Sequence, residues 1–474
     1  MIFNTVEYFI LFLIPAAILF RLVAPALRPW VCFLFGTGFF VFFSLTQIGD
    51  APGAFCLLIF FWESLFSRLY RKKSWFCIAG IFQTLLFLMI FKYWNFFTGL
   101  LFASAAKNPV YWPNAFLPLG ISFFTFEFIH YAVDRYRGTT RAGNFAEYLA
   151  FILFFPTMVA GPIKRYQDFL PKLRSPSADW QQDWIQGVTR ILAGLAKKFA
   201  VADLLTALTN HLNRADIAQA QRWVLPLWLL AYGIKIYFDF SAYSDIAIGS
   251  ARLFGIKVPE NFDWPYLRTN IADFWKHWHM SLYRWLVDYV FIPLGGSRVS
   301  ASRVYLNVLL TMFISGLWHG AALNFVVWGL WHGMLLCIHR LWSSWRARYA
   351  LPSLSSAAAA LRGSATAAGL VWNGPELQPV PISSGLKLSH QAAEPALFGS
   401  QMQAAQLLAA PETRATSSSA QPSPTQVQKA QPRRVSWRKV GSWSLTFASV
   451  NLGWAFFCMD LHTGMFFLRR LFVG

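Results

Sequence analysis

Acidic side chains are scarce in this chain. It carries 21 Asp and Glu against 41 Lys and Arg, and charged residues make up only 13% of its 474 positions, about half of what soluble domains use. That scarcity excludes an ordinary water-soluble globule. Cysteine is equally thin: Cys32, Cys56, Cys77, Cys337 and Cys458 stand singly in apolar runs, which excludes a disulfide scaffold and a cysteine-based metal module and leaves small packed hydrophobes. There is no internal repeat of the kind that builds a transporter from two inverted halves. The first apolar segment, behind Glu7, has neither a basic leader nor a small-residue cleavage site, so it is expected to remain as a span rather than leave as a signal peptide. What is abundant is apolar: 56% of residues are hydrophobic and 18% aromatic, with mean hydropathy +0.41. The chain therefore reads as an all-α polytopic membrane protein. Its net charge of +20 is expected in cytoplasmic loops, which argues against nucleic acid as a partner.

Segments long enough to cross, some with help from their flanks, are Glu7 to Phe20, Trp30 to Leu45, Gly53 to Phe66, Trp75 to Phe97 and Ala115 to Val133. Bases follow the first, third and fifth (Arg21 and Arg28; Arg68 to Lys73; Arg135 to Arg141), which places the N-terminus outside the cytoplasm. Tyr148 to Pro162 lies between two basic loops and is interrupted by Pro156, Gly161 and Pro162, so it is expected to be re-entrant rather than a full span. Asp183 to Leu205 has apolar residues at helical spacing with Arg190, Lys197 and Lys198 among them, the pattern of an amphipathic helix on the inner surface or of a solvated helix face. Trp223 to Phe240, Ser302 to Trp318, Ala321 to Leu341 and Trp443 to Phe457 are further spans. Three parts result: a membrane core over 1–349, a low-complexity Ala/Ser/Pro/Gln cytoplasmic linker over 350–437 expected to be disordered, and a terminal helix with its tail over 438–474. Arg433, Arg434, Arg438 and Lys439 could rest on anionic membrane lipid.

One titratable ring is out of place. Gly316-Leu317-Trp318-His319-Gly320 sets an imidazole inside an apolar run, and ionisable groups at membrane depth mark functional pathways, although a histidine satisfied by one carbonyl would look the same. Its glycines allow a backbone or a ligand to come close. Asn261 to Arg298 is too polar to span and too aromatic for a loop in water. There Trp275, Trp278, His279, Leu282, Leu286 and Tyr289 fit one side of a single helix that aims His279 at the core, with His277 pointing elsewhere; an interfacial aromatic anchor is the alternative. Asp239 and Asp245 could bind a cation, orient a histidine, or be solvated at the interface. His332 and His339 are expected near the cytoplasmic end, where replacement should be mild.

Leu117 to Phe126, Phe154 to Ile163, Tyr237 to Gly249, Asn261 to Gly296 and Gly316 to Gly320 together resemble the membrane-bound O-acyltransferase family, in its bacterial branch that modifies alginate and teichoic acids. The resemblance covers roughly residues 1 to 345 and the last span, and the linker departs from it. It implies roughly 9–11 spanning helices with re-entrant and interfacial helices around a central tunnel. It also implies His319 as the catalytic residue and His279 as a second functional histidine. An imidazole suits the removal of a hydroxyl proton during attack on a thioester, and no nearby serine or cysteine suggests an acyl-enzyme, so direct transfer is expected. Trp318 and Asn324 are candidate donors to the thioester oxygen, with Trp275, Trp278, Asp288 and Asp239 as further substrate contacts. No metal and no bound cofactor is expected. The donor substrate would be acetyl-CoA or another cytoplasmic acyl thioester, and the acceptor a polysaccharide or other cell-envelope polymer, reached directly or through an extracytoplasmic partner protein at a bacterial inner membrane. D-alanyl or other acyl transfer is the alternative chemistry, and a glycolipid transporter or a non-catalytic scaffold the alternative classes.

Overall fold

The computed structural model describes residues 2–47, 50–71, 74–102, 110–112, 117–141, 143–349, 370–372, 377–379 and 436–473. The chain divides into two units, residues 1–343 with 435–474, and residues 344–434. In the first unit the elements that position the site are all helical: α1 (Arg28–Gln47), α2 (Trp75–Leu88), α3 (Ile121–Tyr136), α4 (Phe145–Ile152), α5 (Trp180–Lys197), α6 (Leu225–Leu253), α7 (Ile271–His277), α8 (Met280–Leu286), α9 (Ala301–His319), α10 (Leu323–Tyr349, whose end enters the second unit), α11 (Trp437–Cys458) and α12 (Leu461–Phe472). The second unit contributes one antiparallel pair among its described residues, β1 (Leu370–Trp372) with β2 (Leu377–Pro379), registered with Val371 opposite Gln378. Most of the expected linker lies outside the described residues, as do Lys72 and Lys73 of the basic loop after the third expected span.

Among the described residues three helices are long and apolar enough to cross a membrane, Pro25–Thr46, Trp75–Phe102 and Ala301–His319, and Tyr8–Leu22 is apolar but shorter. They coincide with three expected spans. The remaining long helices fall short on polarity: α6 carries Asp239 and Asp245, and α10 ends in Arg346 and Arg348.

Two cores differ in kind. The N-terminal one is phenyl-rich, with Phe39, Phe40, Phe60, Phe124, Phe151, Phe154, Phe155 and Phe254 interlocked in edge-to-face pairs such as Phe60 on Phe124 at 4.3 Å. It wraps the Tyr148 to Pro162 stretch. There α4 opens on an Asn144–Glu147 capping box and stops at Leu153, because Pro156 cannot donate to the carbonyl four residues back; one further turn, Phe155–Met158, precedes non-helical backbone to Arg165, with Gly161 to Lys164 buried. Four of the cysteines, Cys32, Cys77, Cys337 and Cys458, are free and at least partly buried, as expected of packed hydrophobes, while the side chain of Cys56 lies outside the described residues.

The second core is built of indoles: Trp275, Trp278, Trp328 and Trp454, from α7, the turn after it, α10 and α11. α5, expected to be amphipathic, runs antiparallel along α6, with Gly187 against Gly249 and Leu253, and Gly194 against Ala242 and Ile246, while Ile185, Val188 and Leu192 are exposed. Its bases are paired with acids of or beyond α6: Arg190 and Lys197 with Asp245 (both 2.6 Å), Arg190 with Glu260 (2.6 Å), and Lys198, just after α5, with Asp239 (2.8 Å). The bases of this amphipathic pattern form a ladder of interhelical ion pairs. The same pairs answer the open reading of Asp239 and Asp245, which face bases rather than a histidine.

Candidate active site

α9 and α10 form a hairpin closed by glycine. A Cβ on Gly316 would sit 2.2 Å from the Phe325 carbonyl oxygen, one on Gly329 2.3 Å from that of Met312, and one on Gly320 2.1 Å from the Phe325 ring, so the two backbones touch where the imidazole block ends. The close approach that the glycines permit is therefore made by α10. His319 is the last residue of α9, its ring edge-on to Trp318 (4.7 Å), Trp328 (5.0 Å) and Phe457 (5.0 Å). It faces a cavity of about 310 Å³ lined by Ala160, Ile236, Asp239, Phe240, Tyr243, Trp278, Trp318, Trp328, Trp454 and Phe457. An apolar chamber with a few convergent polar groups is the usual form of a small-molecule site.

His279 does not line that cavity but meets Trp318 and Phe240 of its wall, by a different route from the one the helical spacing suggests. The expected continuous helix is broken: α7 ends at His277, Trp278 is extended, and His279 adopts a left-handed backbone at φ 44° before α8 begins. Asn261 causes the break. Its carbonyl accepts from the Met280 N–H (2.9 Å), its side-chain oxygen accepts from the Ser281 hydroxyl (2.6 Å), and Phe262 bridges Trp278 in antiparallel fashion, so a strand-like strip replaces one helical turn. A left-handed non-glycine residue costs about 1–3 kcal/mol and is a mark of functional sites. His279 is buried, edge-on to Phe240 (4.6 Å) and 6.0 Å from the Trp318 ring, and its Nε2 has no hydrogen-bond partner among the described residues. Trp318 thus stands in contact with both histidines.

The other expected residues divide. Trp278 and Asp239 line the cavity, Asp239 with its carboxylate on Lys198. Trp275 packs beside it against Trp328 and His332. Asn324 is used elsewhere, its amide donating to the Phe456 carbonyl (3.1 Å) to tie α10 to α11, and the Trp318 indole N–H donates to the Ser122 carbonyl (3.3 Å). Both proposed donors to a thioester oxygen are therefore occupied. Asp288 is not in this cavity: it pairs with Arg165. His332 also departs from its expected peripheral place, for it is fully buried against Trp275, Trp328 and Trp454, with neither ring nitrogen hydrogen-bonded among the described residues. Half-buried His339 lies two helical turns further along α10. Among the described residues no group of three His, Cys, Asp or Glu side chains is placed to hold a metal.

Sequence reasoning passed over Lys92. It lies in a short π-helical stretch, Met89–Tyr93, following α2, and its ammonium donates to the Trp318 carbonyl and to the Ser122 hydroxyl (2.9 Å), while the Tyr93 hydroxyl donates to the Leu317 carbonyl (2.7 Å). A lone charge inside an apolar span was the available signal.

A second cavity, about 210 Å³, is basic: Lys164, Arg165, Lys172, Lys257 and Arg284 line it with Asp168, Ile163 and Ser281. Burial lowers the Lys172 amine from its ordinary value, with Asp168 opposing. Ala160 lines one cavity and Ile163, three residues on, the other, where Ser281 receives the Ile163 N–H (3.0 Å).

Among the described residues, three apolar helices long enough to cross a membrane and an aromatic cavity lined by His319 mark the class as a helical membrane protein. The chain belongs to the membrane-bound O-acyltransferase family, whose profile matches residues 38–363. It is similar to a probable alginate O-acetylase of Pseudomonas aeruginosa, 42% identical over 280 residues that cover 58% of this chain and 52% of the relative. It is also similar to a peptidoglycan O-acetyltransferase of Helicobacter pylori (33% over 301 residues, 57% and 56%) and to a teichoic acid D-alanyltransferase of Bacillus subtilis (30% over 332 residues, 64% and 80%). The matched stretch spans about half the length of the two O-acetylating relatives.

Proposed function

We propose that this chain transfers a short acyl group, acetyl in the first instance, from a cytoplasmic thioester to hydroxyls of an extracytoplasmic polysaccharide or of an exported partner acetylase. The observation that carries this reading is His319, open to an aromatic cavity and in ring contact with the tryptophan that also meets His279. In the reaction the acceptor oxygen attacks the thioester carbonyl, its proton passes to His319, and the carbon–sulfur bond breaks to release a thiol that takes up a proton. His279 places the acceptor or hands the proton on. The basic cavity suits the phosphates of a carrier such as acetyl-CoA, with the acyl arm passing along the Ala160 to Ile163 segment toward His319 as through a tunnel. On this reading the protein is an inner-membrane enzyme of roughly 9–11 spans, with the segment around Pro156 re-entrant and residues 350–437 a dispensable linker. D-alanyl transfer is the second reading, favoured by the larger share of the Bacillus subtilis relative that the match covers.

Ester content of envelope polysaccharide from cells with and without the protein tests the reading, together with His319→Ala and His319→Gln. Loss of polymer-bound acetyl in both variants is expected, by roughly a hundredfold or more, with protein level unchanged. Parent-level acetylation by purified His319→Ala would overturn it in favour of a scaffold. D-alanine in place of acetyl would move the donor assignment.

A further inference from the structure

The end of α9 poses a physical problem. The last carbonyls of a helix have no intrahelical donor, and here they fall beside the working imidazole at membrane depth. The α2 side answers it with two donors from one stretch: Tyr93 takes the Leu317 carbonyl at 2.7 Å and Lys92 takes that of Trp318. The π-helical winding of Met89–Tyr93 brings consecutive side chains to consecutive carbonyls, and such bulges concentrate at functional sites. Lys92 forms no salt bridge with a carboxylate among the described residues, so its charge is directed at the negative end of α9 and at the Ser122 hydroxyl. Ser122 in turn accepts the Trp318 indole through its own carbonyl. Backbone and side chain of Trp318 are thereby held at once, one residue before His319.

We infer that Lys92 is a positioning residue for acyl transfer, whose ammonium clamps the Trp318 carbonyl to Ser122 and so fixes the direction in which His319 faces the cavity. This rests on the reading of His319 as the base. A base displaced by about an ångström loses on the order of a hundredfold in rate without losing substrate affinity, so the clamp should act on kcat and not on KM.

The test uses membranes bearing the full chain, acetyl-CoA as donor and envelope polysaccharide extracted from the expressing cells as acceptor, with thiol release as the signal. Lys92→Met is expected to lower kcat at least about tenfold with KM for acetyl-CoA within about twofold, and Lys92→Arg, which keeps a cation able to reach both oxygens, to recover to within about threefold of the parent. Ser122→Ala, which removes one partner and leaves the cation, should cost about threefold and guards against failure of Lys92→Met to fold. Diethyl pyrocarbonate labelling of His319, read by peptide mass, should change in Lys92→Met and return in Lys92→Arg. Parent kcat in Lys92→Met beside an inactive His319→Ala overturns the role of Lys92 alone. Equal loss of melting temperature and activity in Lys92→Met and Lys92→Arg overturns it as a mere packing defect, and an active His319→Ala overturns the base reading beneath it.

Discussion

The phenyl core and the indole core bury comparable rings and do different work. Phe39, Phe151, Phe154 and Phe155 present nothing but hydrocarbon, so their contacts can be satisfied completely by shape. Around the cavity, Trp275 Nε1, Trp328 Nε1, His279 Nε2 and both nitrogens of His332 are buried without hydrogen-bond partners among the described residues. Unpaired buried donors in a native protein call for an explanation such as a ligand or an ordered water. The first core also buries hydroxyls without such partners, those of Tyr8 and Tyr166, so the two differ in the chemistry of their orphaned atoms, hydroxyls in one and ring nitrogens in the other. The border between them runs through α3, which gives Phe124 to the phenyl cluster, Phe126 to the rings around Trp318, and Glu127 to a buried ion pair with Lys164.

If that division is correct, damage to the two sides should separate stability from chemistry. The largest stability effect is expected from Phe151→Ala, about 3–5 kcal/mol in a denaturation series, with activity per folded molecule unchanged; a specific loss of transfer would erase the distinction. Breaking the pair at the border by Glu127→Ala should cost about 3–5 kcal/mol as well, because Lys164 would be left buried and uncompensated, whereas the double replacement Glu127→Leu with Lys164→Met should recover most of it. On the other side, His279→Ala should lower transfer at least about tenfold with a small change in melting temperature, and His279→Ala with His319→Ala should be little worse than the worse single variant, since residues acting as a unit are not additive. Full additivity in that cycle would separate the two histidines functionally. The smallest effect belongs to the second unit: deleting 353–423 should leave membrane level and ester formation nearly unchanged by immunoblot and acetyl assay.

Much of this was legible in the sequence. The runs from Trp30, Trp75 and Ser302 needed only length and hydropathy, and His319 needed only the oddity of an imidazole among apolar residues. His279 was legible as a candidate but not in its geometry, because Asn261 acts from 18 positions away by capturing Met280 and Ser281, and no local period reports that capture. The partners of the α5 bases were not legible for a related reason: a charged stripe reads alike whether it meets lipid headgroups or the acids of a neighbouring helix. Lys92 went unread because its partners are main-chain carbonyls, which every residue has and which no sequence pattern distinguishes.

The ion-pair ladder between α5 and α6 also constrains how the protein is made. Arg190, Lys197 and Lys198 leave the ribosome 55, 48 and 41 residues ahead of the Asp245 and Asp239 carboxylates that neutralise them. Until α6 is made, these bases have no carboxylates opposite them, so α5 can reach its packed position only after α6 follows it. Nascent chains arrested before Asp239 should leave a cysteine placed at Gly194 of α5 open to reagents, and chains extended past Glu260 should protect it; protection at the shorter length would show that α5 packs without α6.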